Sequence, residues 1–122
     1  MLKDHLYQIT GNIPTGINEF TIGIKFNRSH EIFNGHFPGL PVVPGVCMMA
    51  IVKEFLEASL QKKLTLRSAS QMKFLSLINP EENEMAEVAI KYVVANDGTI
   101  TADGTILVNQ SPFFKLVKGI YS

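Results

Sequence analysis

The sequence predicts an α+β domain in which an antiparallel sheet wraps around one long buried helix. Three observations carry this reading. The stretch from Val46 to Leu60, VCMMAIVKEFLEASL, holds no glycine or proline and is apolar on every face as far as Lys53, the pattern of a helix buried all round. Segments before and after it alternate apolar and polar residues with period two, as strands with one buried face do. Between two of the later segments, Asn96-Asp97-Gly98 is a strong hairpin signal, which makes those neighbours antiparallel partners.

In chain order, Leu6 to Thr10 is a short strand and Gly11 to Gly16 (GNIPTG) supplies turn residues. Phe20, Ile22, Ile24 and Phe26 then alternate with Thr21, Gly23 and Lys25, completing a hairpin. Asn27 to Gly45 is rich in Asn, Ser, Gly and Pro, and a loop of that length inside a small domain is usually functional. Pro44 and Gly45 suit the start of the helix, where a missing donor and a permissive backbone cost nothing. After the helix, Leu64 to Ile78 reads as one long mixed run, and Asn79 to Asn83 as a turn. Val88, Ile90, Tyr92 and Val94 alternate with polar or small neighbours, and Ile100 to Val108 alternates again. Ser111-Pro112 breaks the pattern, and Phe113 to Lys118 is the last strand, with Pro112 at its start or edge.

At 122 residues, without internal repeat or linker, the chain reads as a single domain spanning 1–122. Eleven Lys and Arg balance eleven Asp and Glu, so no broad field exists for nucleic acid or an anionic membrane. A hydrophobic content of 46% and a mean hydropathy of +0.15 are high for a lone soluble domain and point to surface covered by a second subunit, a dimer being the simplest case. Cys47 is the only cysteine and the first residues form no apolar run of signal-peptide length, which makes the cytoplasm the expected compartment. The longest apolar stretch, Leu40 to Val52, is interrupted by two prolines and a glycine and is shorter than the roughly 18 residues that span a bilayer. Three histidines without clustered acidic or thiol partners make no metal site.

The segment Gly35 to Gly45, GHFPGLPVVPG, places His36 in a loop set by three prolines just ahead of a helix N-terminus. Free backbone N–H groups and the positive end of the helix dipole hold a carbonyl or oxyanion there, and the N–H of Gly45 is the donor best placed. A histidine titrating near neutrality can remove a proton next to a carbonyl polarised in this way, which is α-proton chemistry on a thioester. An isolated histidine is more often a turn cap; the surrounding pattern changes that weighting.

GHFPGLPVVPG resembles the G-H-F-P-G-x-P-[hydrophobic]-x-P-G motif of the 3-hydroxyacyl-acyl-carrier-protein dehydratases of fatty-acid synthesis, at eight fixed positions in eleven. A weaker resemblance covers most of the chain, through Phe33, the central helix, Lys73-Phe74 and the later hairpin with its final strand. It implies a hot-dog fold, a homodimer or higher oligomer with active sites at the subunit interface, and an acyl chain carried on the phosphopantetheine of acyl carrier protein, with no other cofactor. It also implies that His36 works on the α-carbon, that the Gly45 N–H binds the thioester carbonyl, and that Phe37, Pro38 and Val46 complete the substrate-binding surface.

One family role is missing. Where the family carries a Glu or Asp on the helix, fourteen residues after the histidine, this chain has Ala50, and a methyl group neither donates a proton nor holds a water. Glu54 lies one turn on, at a position where the family commonly has Gln, and leans toward the space above Ala50, so it is the candidate replacement acid. Against this stands pairing of Glu54 with Lys53, Lys62 or Lys63. Three readings follow: a dehydratase using His36, the Gly45 N–H and Glu54 or a water; a non-catalytic acyl-binding subunit or heterodimer partner of an intact dehydratase; and a thioesterase on the same fold. His30 and Glu31 shape the loop, Cys47 packs or has a lowered pKa at the helix start, Met48, Met49 and Met72 line a tunnel or the core, and Lys62, Lys63 and Arg67 offer a basic patch to an acidic carrier.

Overall fold

The structure, a computed structural model, describes residues 2–30, 33 and 42–122. Its elements are β1 (Tyr7–Gly16), β2 (Glu19–Phe26), helix α1 (Gly45–Leu60), β3 (Leu66–Ser68), β4 (Gln71–Phe74), β5 (Met85–Val94), β6 (Ile100–Val108) and β7 (Ser111–Tyr121). The strands form one antiparallel sheet in the order β1-β2-β5-β6-β7-β3, with β4 also paired to β7. The sheet wraps α1, as the alternation and the long helix predict, and this is the hot-dog arrangement that the family resemblance implies.

Period-two burial explains the sheet's inner face. Ile22, Ile24 and Phe26 on β2, Ala86, Val88, Ile90 and Tyr92 on β5, and Ile100, Ala102, Ile106 and Val108 on β6 are all buried. Against them α1 buries Cys47, Met48, Ile51, Val52, Phe55 and Leu56. Gly104 lets the helix approach the middle of the sheet, because a Cβ there would stand 3.0 Å from Val52 Cγ1.

Several boundaries differ from the sequence reading. GNIPTG is strand rather than turn: β1 runs through it, and Pro14 is tolerated because β1 is an edge strand whose register shifts at Ile9/Gly11 and Pro14/Gly16. The run from Leu64 to Ile78 divides into β3 and β4, both on β7. The β6–β7 connection is the pair Asn109 and Gln110, both with positive φ, so the break falls before Ser111-Pro112. β7 continues past Lys118 to Tyr121: Lys118 adopts a φ of 49°, its N–H donates to Asp103 Oδ1 at 2.9 Å, and the register against β6 shifts there. The helix is also not buried all round, since Val46 is 72% exposed.

Candidate active site

The start of α1 is held by backbone bonds and left open at its first donors. Val43 N–H donates to Ile78 O at 2.8 Å, which fixes the chain entering the helix against the segment after β4. Pro44 is the N-cap in extended conformation and supplies no side-chain cap, while its carbonyl accepts the N–H groups of Cys47 and Met48 at 3.0 and 3.2 Å. The N–H groups of Gly45 and Val46 meet no acceptor among the described residues. No acidic residue occupies the first turn, so the positive end of the helix dipole is uncompensated by the chain's own carboxylates. Gly45 also suits the packing: a Cβ would lie 2.7 Å from Phe74 Cε1, so the half-exposed ring would have to shift. The Phe74 ring in turn leans on Phe114, with centroids 5.1 Å apart.

Around this helix start the surface is apolar. Val46, Phe74, Leu75 and Leu77 are all large hydrophobic residues exposed in the single chain, Phe74 and Leu77 at 52% and 67%. One turn along from Val46, Ala50 is half-buried on the more open stripe of the helix.

Glu54, one turn beyond Ala50, is closed off instead. It is the one charged residue buried among the described residues. Its Oε1 accepts from Leu2 N–H at 3.1 Å, Lys3 N–H at 3.2 Å and the Tyr7 hydroxyl at 3.2 Å, and its Oε2 accepts from Leu2 N–H at 3.1 Å. Pairing with Lys53, Lys62 or Lys63 is therefore not what the carboxylate does; backbone donors of the N-terminal segment reach it first, and they also satisfy a charge too costly to bury alone. The Tyr7 hydroxyl pKa is pushed well up, by burial first and by the adjacent Glu54 charge second. Nine residues of helix separate Gly45 from Glu54, an axial distance of about 14 Å. These two groups do not converge on one small site within the chain.

His36, Phe37, Pro38 and Glu31 lie outside the described residues. His30 is placed at the root of their loop: its N–H donates to Asn27 O at 3.1 Å and its ring meets Phe33 edge-on at 6.5 Å. Cys47 is buried and its thiol pKa is raised, mainly by burial and further by Glu54, so the lowered value considered for a helix start does not occur. Met48 belongs to the core, and Met49 and Met72 pack partly buried against it. Lys62 donates to Gly98 O at 3.5 Å and Arg67 Nε to Ser122 Oγ at 2.7 Å, both well away from Gly45. Among the described residues no group of His, Cys, Asp and Glu is arranged to hold a metal, and no helix is long and apolar enough to cross a membrane. Sequence reasoning missed the N-terminal segment as Glu54's partner, because backbone donors leave no signature in residue identity.

A sheet-wrapped helix with open donors at its N-terminus makes the chain a hot-dog-fold protein. Residues 13–102 match the family model of the ApeI-like proteins, described as ApeI dehydratase, and the chain belongs to that family. It is 28% identical over 131 residues to the 3-hydroxyacyl-[acyl-carrier-protein] dehydratase FabZ of Rickettsia massiliae, covering 97% of this chain and 86% of that protein. The FabZ of Rickettsia bellii is 27% identical over the same coverage. Among solved structures, the dehydratase heterocomplex ApeI:P from Xenorhabdus doucetiae superposes with a TM-score of 0.67 at 18% identity, covering 94% of this chain and 95% of that one. An uncharacterized protein from Erwinia carotovora subsp. atroseptica gives 0.65 at 19% identity over 96% of both chains. At these identities the structural matches establish the fold.

Proposed function

We propose that the chain dehydrates a 3-hydroxyacyl thioester, carried on the phosphopantetheine of acyl carrier protein, to the 2-enoyl thioester. The observation that carries this reading is the pair of open donors at Gly45 and Val46, in a family member that retains GHFPG immediately upstream. In this reading the thioester carbonyl accepts from the Gly45 N–H, which meets the charge that develops on oxygen as His36 takes the α-proton. Phe37, Pro38 and Val46 line the bound acyl group. The C–O bond to the β-hydroxyl then breaks, and the leaving oxygen needs a proton to depart as water. Ala50 has none to give, and every bond that Glu54 makes in the described chain ties it to Leu2, Lys3 or Tyr7. The proton then comes back from His36 or from a second subunit.

A second reading is favoured by Ala50 itself: the chain is one half of a heteromeric dehydratase whose partner supplies the helix carboxylate. The exposed apolar rim of Val46, Phe74, Leu75 and Leu77 beside the helix start supports a subunit contact there, and the ApeI:P relative of similar fold is a heterocomplex.

The test is to incubate the purified protein with a 3-hydroxyacyl carrier-protein thioester and follow the enoyl product by mass spectrometry, with released thiol measured in parallel. Turnover that falls about 10²- to 10⁴-fold in His36→Ala supports the dehydratase reading. An inactive wild type that gains activity on Ala50→Glu overturns self-sufficient catalysis and supports the heteromeric reading. Release of free thiol without enoyl product would make the protein a thioesterase instead.

A further inference from the structure

The bonds at Glu54 do not end at the N-terminal segment. Leu2 to Leu6 is a compact turn in which the N–H groups of His5 and Leu6 both donate to Leu2 O, at 3.1 and 2.8 Å. One side of this turn is held by Glu54 through the N–H groups of Leu2 and Lys3. Its other side holds Asn27, whose N–H donates to Leu6 O at 2.7 Å and whose Nδ2 donates to His5 O at 3.0 Å. Asn27 is the first residue after β2, where the loop bearing His36 begins. From there the bonds continue into the loop: Ser29 N–H donates to Asn27 Oδ1 at 3.0 Å, His30 N–H to Asn27 O at 3.1 Å, and Phe33 N–H to His30 O at 3.1 Å.

We propose that Glu54 is a positioning residue: through the bracket Leu2–Leu6 and Asn27 it fixes the root of the His36 loop relative to α1, the helix whose first turn carries Gly45. This rests on the reading that His36 and the Gly45 N–H share one substrate. The physical reason is that Asn27 and Gly45 are the two ends of the segment that carries His36, nine residues to either side of it in sequence, so the separation of His36 from the helix start is only as well defined as those two ends. The Gly45 end is fixed by Val43 N–H on Ile78 O and by the helix. The Asn27 end is fixed by β2 and by the bracket, and the bracket's hydrogen-bonded attachment to the helix is the Glu54 carboxylate, beside the packing of Leu6 and Tyr7 in the core. A carboxylate serves there because it accepts at both oxygens, taking two consecutive N–H groups and a hydroxyl in a buried place. Gln at this position keeps one carbonyl acceptor but turns an amide donor toward donors.

The test uses the full-length protein with Glu54→Gln and, separately, Asn27→Ala, which is exposed and lies far from any proton-transfer role. Hydrogen exchange is read at the N–H groups of Asn27, His30 and Phe33, with Val88 and Ile90 of β5 as the control for global stability. The positioning role predicts exchange about tenfold or more faster at the first three in both variants, with β5 protection retained. It also predicts that kcat falls about 10- to 100-fold with little change in KM, that the pH profile keeps its shape at lower height, and that the double variant is no worse than the poorer single one. Unchanged exchange at Asn27, His30 and Phe33 in Glu54→Gln overturns the proposal, as does loss of one limb of the pH profile, which would make Glu54 the proton donor. If Glu54→Gln also loosens β5, the Asn27→Ala variant decides by the same readouts. A protein with no turnover that still shows the exchange response removes the dehydratase reading and leaves the bracket standing.

Discussion

The two halves of α1 use similar residues to opposite ends. In the first half, Gly45 and Val46 offer N–H groups that no described residue accepts, Val46 points outward, and Ala50 presents a methyl group on the open stripe. In the second half, Glu54, Phe55 and Leu56 are buried, and both oxygens of the only carboxylate buried among the described residues have partners. The helix even closes tidily, with Gln61 in the left-handed region and its N–H on Glu57 O. The difference separates two uses of a polar group. Where bonding capacity is left over, a ligand can take it up; where it is consumed, it holds the fold.

Leu56→Ala should have the largest effect on stability, because it empties a site that is 0% exposed, at a cost of about 2–5 kcal/mol. Val46→Ala, ten residues earlier on the same helix, should change stability by less than about 0.5 kcal/mol in the isolated chain. Urea unfolding of the two variants side by side checks this, and equal losses would erase the distinction between the halves.

Gly45→Ala sharpens the comparison from the open side. The new Cβ meets the Phe74 ring, so we expect a cost of about 1 kcal/mol that Phe74→Ala relieves in the double variant, measured as a non-additive shift in the denaturation midpoint. An additive pair would mean that ring and helix start do not touch.

A further effect belongs to the closed side and appears only at high pH. Burial pushes Tyr121 from its ordinary 10.0 up to about 12, and Tyr7 is raised further by burial and by Glu54. A group whose folded pKa exceeds its unfolded value contributes its full stability below the unfolded pKa and loses it as pH rises toward the folded one. Stability should therefore hold to about pH 10 and decline between pH 10 and 12. Tyrosinate absorbance near 295 nm should show Tyr7 and Tyr121 ionising with the unfolding transition. Ionisation of both at pH 10 without unfolding would contradict their burial.

Much of the fold was legible because burial imposes a period. Alternation at Ile22, Ile24 and Phe26 and at Val88, Ile90 and Tyr92 read directly as inner-face strand, and Asn96-Asp97-Gly98 marked its hairpin. GNIPTG misled because proline and glycine signal a turn by identity, while an edge strand accepts both, having no second neighbour to hydrogen-bond. The exposure of Val46 was hidden for a related reason: an apolar residue left on the surface of the chain and one in its core look alike in sequence.

The sequence by itself pointed to the dehydratase family, through eight matched positions around His36, and residues 13–102 match a dehydratase family model. It also raised the question of Ala50, which the Ala50→Glu variant answers. Only the tertiary structure decided which groups Glu54 bonds, because its partners are backbone N–H groups and one hydroxyl about fifty positions away in the chain, at separations of 52, 51 and 47 residues. Backbone donors are identical at every residue except proline, so no pattern of side chains can announce which of them a buried carboxylate will find.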